Sequence, residues 1–178
     1  MNRLRTGPEE APVHRDIVAR LGHLTLGSRL KRIGEHLQAD VTRLAERLDL
    51  AVPAAQFPLL AALAENGPTS IGALARVVGV RQPAITRAVV QLTAAGLVRV
   101  TPDPDDQRVR TASLTDAGRA LVDRAARVLW PAIDDAVRAL CADLEGPLLD
   151  QLTALEQGLA RIPLDERAAA LIPSGEKP

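Results

Sequence analysis

The chain has 178 residues, with 22 basic and 22 acidic side chains and a formal net charge of zero. One Phe, one Trp and no Tyr exclude base-stacking sheets and single-strand platforms, which need aromatic faces. The lone cysteine, Cys141, excludes an internal disulfide and fits a reducing, cytoplasmic setting. No apolar run is long enough for a membrane span, and the N-terminus lacks the apolar core of a signal peptide.

In chain order, residues 1–13 hold Gly, Pro and charge without periodicity and read as a loose arm. From 14 to 50 a long helical pattern runs through Ile17, Leu21, Leu24, Leu26, Leu30, Ile33, Leu37, Val41, Leu44 and Leu48 at three- and four-residue steps. Gly27-Ser28 is the expected bend. Ala51-Val52-Pro53 breaks the run. The next helix is expected over Ala54 to Glu65, with Phe57, Leu60, Ala61, Leu63 and Ala64 as core candidates. Pro58 lacks the amide an interior position would use, so this helix bends or begins there. Asn66-Gly67-Pro68 ends it.

A third helix spans Ile71 to Val78, with Ile71, Leu74, Ala75 and Val78 on one face. Thr69 or Ser70 can cap it, and Gly79 supplies the left-handed turn that stops it. The fourth helix runs from Gln82 to about Ala95, with Pro83 near its start. Ile85, Val89 and Leu92 form its apolar stripe. Its other side carries Gln82, Thr86, Arg87, Val90 and Gln91. Such a helix suits a module in which one side packs inward and the other enters a major groove. Two alternating segments follow, Leu97–Thr101 and Arg110–Leu114, joined by a turn-rich acidic loop, Pro102 to Arg108. Carboxylates beside phosphates would repel them unless occupied internally. Asp106 can hold an arginine or accept backbone amides, stiffening the loop while Arg108 projects toward a narrow minor groove. Helix, turn, helix and hairpin together make a winged helix-turn-helix, placed at 51–118.

Beyond the wing, Thr115 can cap a helix running to Leu144, with a kink expected at Pro131. Gly146-Pro147 breaks it. Leu148, Leu149, Leu152, Leu155 and Leu159 mark another helix, and Leu164 with Ala168 to Ile172 one or two turns more. Residues 119–172 are thus a second helical segment, and 173–178 a loose tail. The fold class is mainly α with a small β-wing, flanked by long N- and C-terminal helices. A module of about fifty residues cannot bury all their stripes. Either the helices pack on one another as an intramolecular bundle or a second copy completes them as dimerisation helices, and the dimer is the preferred reading.

Charge is unevenly distributed. Ser70 to Thr115 holds six Arg and three Asp, for +3; Asp116 to Arg167 holds six Arg and ten acids, for −4. The winged module is basic, as phosphate attraction requires, although scatter over a balanced surface gives the same sums.

The chain resembles the MarR family of bacterial winged-helix regulators. The resemblance rests on Gly67-Pro68-Thr69, Leu74-Ala75, Gln82-Pro83-Ala84-Ile85-Thr86-Arg87, Leu92, Gly96-Leu97-Val98, Asp103-Pro104-Asp105-Asp106-Gln107-Arg108 and Leu114-Thr115-Asp116-Ala117-Gly118. The wing with its Leu-Thr-x-x-Gly exit is the specific part. The resemblance implies that Gln82, Thr86 and Arg87 sit at the groove and that Arg108 is the wing-tip arginine. It also implies a homodimer on an inverted-repeat operator of double-stranded DNA, most often a repressor, released by a small-molecule effector bound where dimer helices meet the winged module. Two departures matter. Arg81 stands where the family often has a capping serine, losing a cap and offering a phosphate contact. Gln107 removes one cation from each wing.

The residues assigned to DNA are Arg81, Gln82, Thr86, Arg87, Gln91, Arg99, Arg108 and Arg110, with Asp106 stabilising the wing. Against this, Arg87 and Arg99 can be phosphate clamps or solvated charges, and Gln82 and Thr86 can merely cap or solvate their helix. Arg76 is a backbone contact or plain surface. No metal or cofactor is expected: His14, His23 and His36 lack ligand spacing, and Cys141 lies on an apolar stripe as a structural cysteine. Trp130 lines a ligand cleft or fills the dimer core. An enzyme is not expected, since phosphate-loop, nucleophile-elbow and His-Glu-x-x-His motifs are missing. The alternative function is a winged-helix protein-interaction module that never touches DNA.

Overall fold

The computed structural model describes residues 16–50, 52–103, 106 and 108–171. The expected arm at 1–13, His14, Ile172 and the tail at 173–178 lie outside the described residues, as do Ala51, Pro104, Asp105 and Gln107. The chain divides into two compact units, Met1–Trp130 and Pro131–Pro178.

The first unit opens with α1 (Ile17–Arg20), whose cap is the Asp16 carboxylate accepting from the Val18 and Ala19 amides. A 3-10 turn over Gly22–Thr25 follows, then α2 (Leu26–Arg47). The helical run is interrupted before the bend expected at Gly27-Ser28, at Gly22, which takes φ +55. Glycine tolerates that left-handed conformation and so breaks the run, whereas Gly27 continues α2. Arg32 reaches back to Asp16 at 2.7 Å, closing α1 onto α2. That bond is the main reason the Asp16 carboxyl sits below its ordinary range.

A 3-10 turn, Ala54–Gln56, leads into α3 (Phe57–Asn66). Pro58 therefore begins a helix, where a missing amide is harmless. Leu59, Leu60, Ala62 and Leu63 are buried with Phe57, whereas Ala64, expected in the core, is exposed in the last turn of the short helix. Thr69–Ser70 forms a strand, β1, that the sequence reading took only as a cap. The Ser70 hydroxyl does cap α4 (Ile71–Val78), accepting from the Ala73 amide at 3.3 Å. Gly79 closes α4 at φ +71. Then comes α5 (Gln82–Ala94), with Ile85, Val89 and Leu92 buried. Its first residues follow Arg81, whose side chain makes no capping bond.

The wing is β2 (Val98–Pro102) antiparallel to β3 (Arg110–Leu114), in register from Val98↔Leu114 to Pro102↔Arg110. β1 adds to the other edge of β3, pairing Thr69 with Ala112 and Ser70 with Thr111, so the sheet order is β1-β3-β2. Two-residue strands leave almost no periodic trace, which is why the third strand is silent in sequence.

The exit of the wing explains the Leu-Thr-x-x-Gly pattern. Leu114 is buried. The Thr115 hydroxyl donates to the Gly96 carbonyl at 2.7 Å and caps α6 (Asp116–Arg124) by accepting from the Gly118 amide at 3.0 Å. The Thr115 amide donates to the Leu97 carbonyl. Gly118 packs so close to that carbonyl that a Cβ there would overlap it. The start of α6 is thus bolted to the Gly96-Leu97 turn. The helix then widens into a π turn over Ala125–Leu129, with Ala125 and Leu129 buried, before α7 (Trp130–Leu140). The disturbance expected at Pro131 is realised upstream: in a regular helix its ring would strike the Arg127 carbonyl, and a wider turn relieves that clash.

In the second unit α7 ends at Leu140 rather than Leu144, and α8 (Leu148–Arg161) and α9 (Leu164–Leu171) follow. Arg167 donates to the Ile162 and Gly158 carbonyls at 2.9 and 2.7 Å, the second of which also accepts from the Ile162 amide at the end of α8. No side chain described from Pro131 onward is buried. Among the described residues no helix is long and apolar enough to cross a membrane.

Candidate nucleic-acid interface

The candidate surface is assembled by three elements of the first unit. α4 and α5 meet through the Gly79 turn, and the buried stripe of α5 fixes its rotation. Gln82, Thr86, Arg87 and Val90 are consequently exposed. The sheet brings the wing loop back toward the start of α5. Between them lies a cleft of ≈ 330 Å³ lined by Ser70, Ile71, Gly72, Gln82, Thr86, Arg108, Val109 and Arg110. Four residues assigned to DNA from sequence, Gln82, Thr86, Arg108 and Arg110, therefore share one concavity.

Each side chain has a definable chemistry there. The Thr86 hydroxyl donates to the Gln82 carbonyl at 3.0 Å. Its proton is used within the helix, so outward it presents an acceptor. Arg110 pairs with Pro102 at the end of the hairpin and shares the sheet face of buried Ala112 and Leu114, which turns it toward the cleft. Arg81 and Arg87 are exposed at either side of the first turn of α5. None of the ion pairs among the described residues involves Arg81, Arg87, Arg108 or Arg110. Their charge is directed at solvent and available to an external anion.

The described carboxylates of the acidic loop, Asp103 and Asp106, accept from donors of the hairpin itself. Asp106 accepts from the Arg108 amide at 2.9 Å, the local bond that stiffens the wing beneath the arginine. Asp103 accepts from the Thr111 hydroxyl at 3.4 Å. The Asp103 amide donates to the Val109 carbonyl and the Val109 amide to the Asp106 carbonyl, each at 2.9 Å, closing the hairpin. Carboxylates used as acceptors for the loop's own donors are held in place rather than left free to swing toward phosphates.

Two assigned residues stand apart from the cleft. Arg99 lies on the other sheet face, cross-strand from Ser113, to whose hydroxyl its Nε donates at 3.0 Å. Gln91 lies about 180° around α5 from Gln82. Its Oε1 accepts from Gln56 Nε2 at 2.6 Å.

Gln56 was not singled out from sequence. It is 7 % exposed and the single buried polar residue among those described. The Ala54 amide, two residues earlier, donates to Thr42 of α2 at 3.0 Å. A short path of hydrogen bonds therefore runs from α2 through the 3-10 turn to α5. The signal was one polar residue in an otherwise apolar run after Pro53.

Cys141 is half-buried and free, and Trp130 is half-buried. Among the described residues no group of three His, Cys, Asp or Glu side chains could hold a metal ion.

A profile described as MarR family matches residues 48–109. The HTH-type transcriptional repressor NicR of Pseudomonas putida is similar, 33% identical over 122 residues that cover 67% of this chain and 73% of that protein. Among solved structures, the transcriptional regulator BldR from Sulfolobus solfataricus is similar at TM-score 0.59 and 28% identity, covering 83% of this chain and 99% of that one. A MarR variant from E. coli complexed with operator DNA shares the fold at TM-score 0.62 and 22% identity, covering 83% and 98%.

Proposed function

The chain belongs to the MarR family of winged helix-turn-helix regulators, and from that premise we propose that it binds an inverted-repeat operator as a homodimer and represses transcription until a small-molecule effector releases it. It is a DNA-binding transcriptional regulator rather than an enzyme. The observation that carries the site assignment is the common cleft of Gln82, Thr86, Arg108 and Arg110, beside arginines that no described carboxylate pairs. α5 enters the major groove, with Gln82, Thr86 and Arg87 toward base edges and Arg81 toward phosphate. Arg108 reaches the adjacent minor groove from the wing, with Arg110 behind it and Asp106 holding its backbone. Arg99 and Gln91 contribute from the margins, Arg99 to phosphate and Gln91 by fixing α5 through Gln56.

In the proposed division, 14–50 and 119–172 are dimerisation segments and 51–118 is the DNA-binding domain. Support comes from apolar side chains that one chain leaves open. Ile17, Leu21, Leu26, Leu30, Ile33 and Leu37 are 37 to 49% exposed along α1 and α2, and Leu149, Leu155, Leu159 and Leu164 are exposed in the C-terminal unit. Helices with such stripes need a partner surface. Two recognition helices related by a two-fold axis would meet major grooves about 34 Å apart. The relative NicR is a repressor by name, and repression by promoter occlusion is the sense of regulation proposed here, in the cytoplasm.

Selection of bound fragments from random duplex DNA tests the reading. The expected result is a rough inverted repeat with half-site centres one helical turn apart, bound less tightly as salt rises. Enrichment of no sequence would overturn it and favour the protein-interaction module, and enrichment of a single unsymmetric half-site would overturn the two-fold arrangement.

A further inference from the structure

The outermost line of α5, opposite buried Ile85, Val89 and Leu92, is Pro83, Arg87, Val90 and Ala94, at i, i+4, i+7 and i+11. A helix presented to a groove offers this line first. Only Arg87 on it can form hydrogen bonds. Val90 stands near its centre and is 63% exposed, more than Val77 or Val80 elsewhere in the helix-turn-helix. Polar reading groups lie to one flank, where Gln82 and Thr86 face the cleft. On the other flank Gln91 is engaged by Gln56. The centre is thus aliphatic while its margins are polar and cationic.

That arrangement selects its occupant. A single valine one turn from Arg87 is too small an apolar patch for a protein partner, and the arginines that the same module keeps out of the ion pairs among the described residues, Arg81, Arg87, Arg108 and Arg110, call for a polyanion. Within a major groove the apolar group on a base edge is the C5 methyl of thymine. Valine in a helix is held in essentially one rotamer. Its two methyls are therefore offered at fixed positions, with little side-chain freedom to lose on contact.

We propose that Val90 is a specificity-determining residue that reads a thymine methyl in each half-site. The proposal rests on the DNA-binding reading above and adds to it a base, a group on that base and the side chain that meets it. Hydrogen-bonding residues fix the register, and Val90 distinguishes thymine from cytosine at a position where neither α5 flank reaches.

The test uses the full chain and the operator recovered by selection. Each thymine of the half-site is replaced in turn by deoxyuridine, which removes the methyl and nothing else. Affinity is measured by fluorescence anisotropy for the parent, Val90→Ala and Val90→Thr. At one position deoxyuridine should weaken the parent about fourfold per half-site, hence about fifteenfold when both half-sites are changed. Val90→Ala should bind thymine and deoxyuridine operators alike, while Val90→Thr, which keeps the branch and one methyl, should retain part of the discrimination. Indifference of the parent to every replacement overturns the proposal, as does an undiminished deoxyuridine effect in Val90→Ala. Failure to recover any bound duplex overturns the DNA-binding reading instead, so the two failures are distinguishable. Val90 is exposed, and an unchanged thermal midpoint for Val90→Ala confirms that affinity rather than folding is read.

Discussion

Leu74, Leu92 and Val98 of the winged module are 0, 1 and 2% exposed, whereas no described side chain from Pro131 onward is buried. α1 and α2 resemble the second case: of all their residues only Ala45 is fully enclosed. Yet the two regions are equally well patterned, since Leu30, Ile33 and Leu37 repeat at the same steps as Ile85, Val89 and Leu92. Apolar periodicity marks the side of a helix that must leave water. It does not say whether the covering surface comes from the same chain. The winged module buries its stripes within the chain, through α3 to α6 and a three-stranded sheet, while the flanking helices leave theirs open, as the proposed second copy requires.

The sharpest way to break this contrast is inside the module. Gly118→Ala would drive a Cβ into the Leu97 carbonyl, where backbone on both sides leaves nothing flexible to yield. A loss of about 3 kcal/mol or more is expected, a large share of the stability of any domain. Chemical denaturation reads it. A variant as stable as the parent would show that the α6 junction is looser than described.

The flanks respond differently. Replacing Leu30 and Ile33 together by Asp should abolish the dimer, since about 1.5–3 kcal/mol of apolar burial per residue would be lost and charges placed in its stead. Sedimentation should report half the mass, with the cooperative unfolding of the winged module retained. Loss of the module along with the dimer would mean that the two regions are not separately built.

Arg108→Ala has a smaller effect, confined to binding. Duplex affinity should fall about tenfold and the salt slope by roughly one per wing, with the melting temperature and the dimer unchanged. A titration that superimposes on the parent's would remove the wing from the interface.

The smallest expected effect concerns Asp16. Its carboxyl is held below the ordinary range chiefly by the Arg32 hydrogen bond. A depressed carboxylate contributes stability that is complete above the ordinary range and fades as acid titrates it through its lowered value. Both partners are exposed, so the effect on global unfolding should be near zero. Carboxyl resonances in an NMR titration should show a midpoint below that of free aspartate, returning to normal in Arg32→Ala. An ordinary midpoint in the parent would detach α1 from α2.

Much of the site was readable residue by residue because local rules govern it. Ser70, Gly79, Thr115 and the Ile85-Val89-Leu92 stripe depend on neighbours within a turn or two, and the structure places each as its type requires. The Asp106 bond to the Arg108 amide is equally local. What escaped was non-local. β1 exists only because β3 offers an open edge. Gln56 matters through Gln91, a residue 35 positions away. The separation of Arg99 from Arg110 follows from strand register, since a shift of one residue exchanges the faces.

Residue order alone therefore determined most of the helices, the Ser70 and Thr115 caps, the hairpin and the side chains on the outer face of α5, because hydrogen-bonding and steric demands act over a few residues. Only the folded chain decided which polar groups converge on one cleft and which are taken up by internal partners. Convergence depends on distances that close through a shared core, and no periodicity in the chain encodes them.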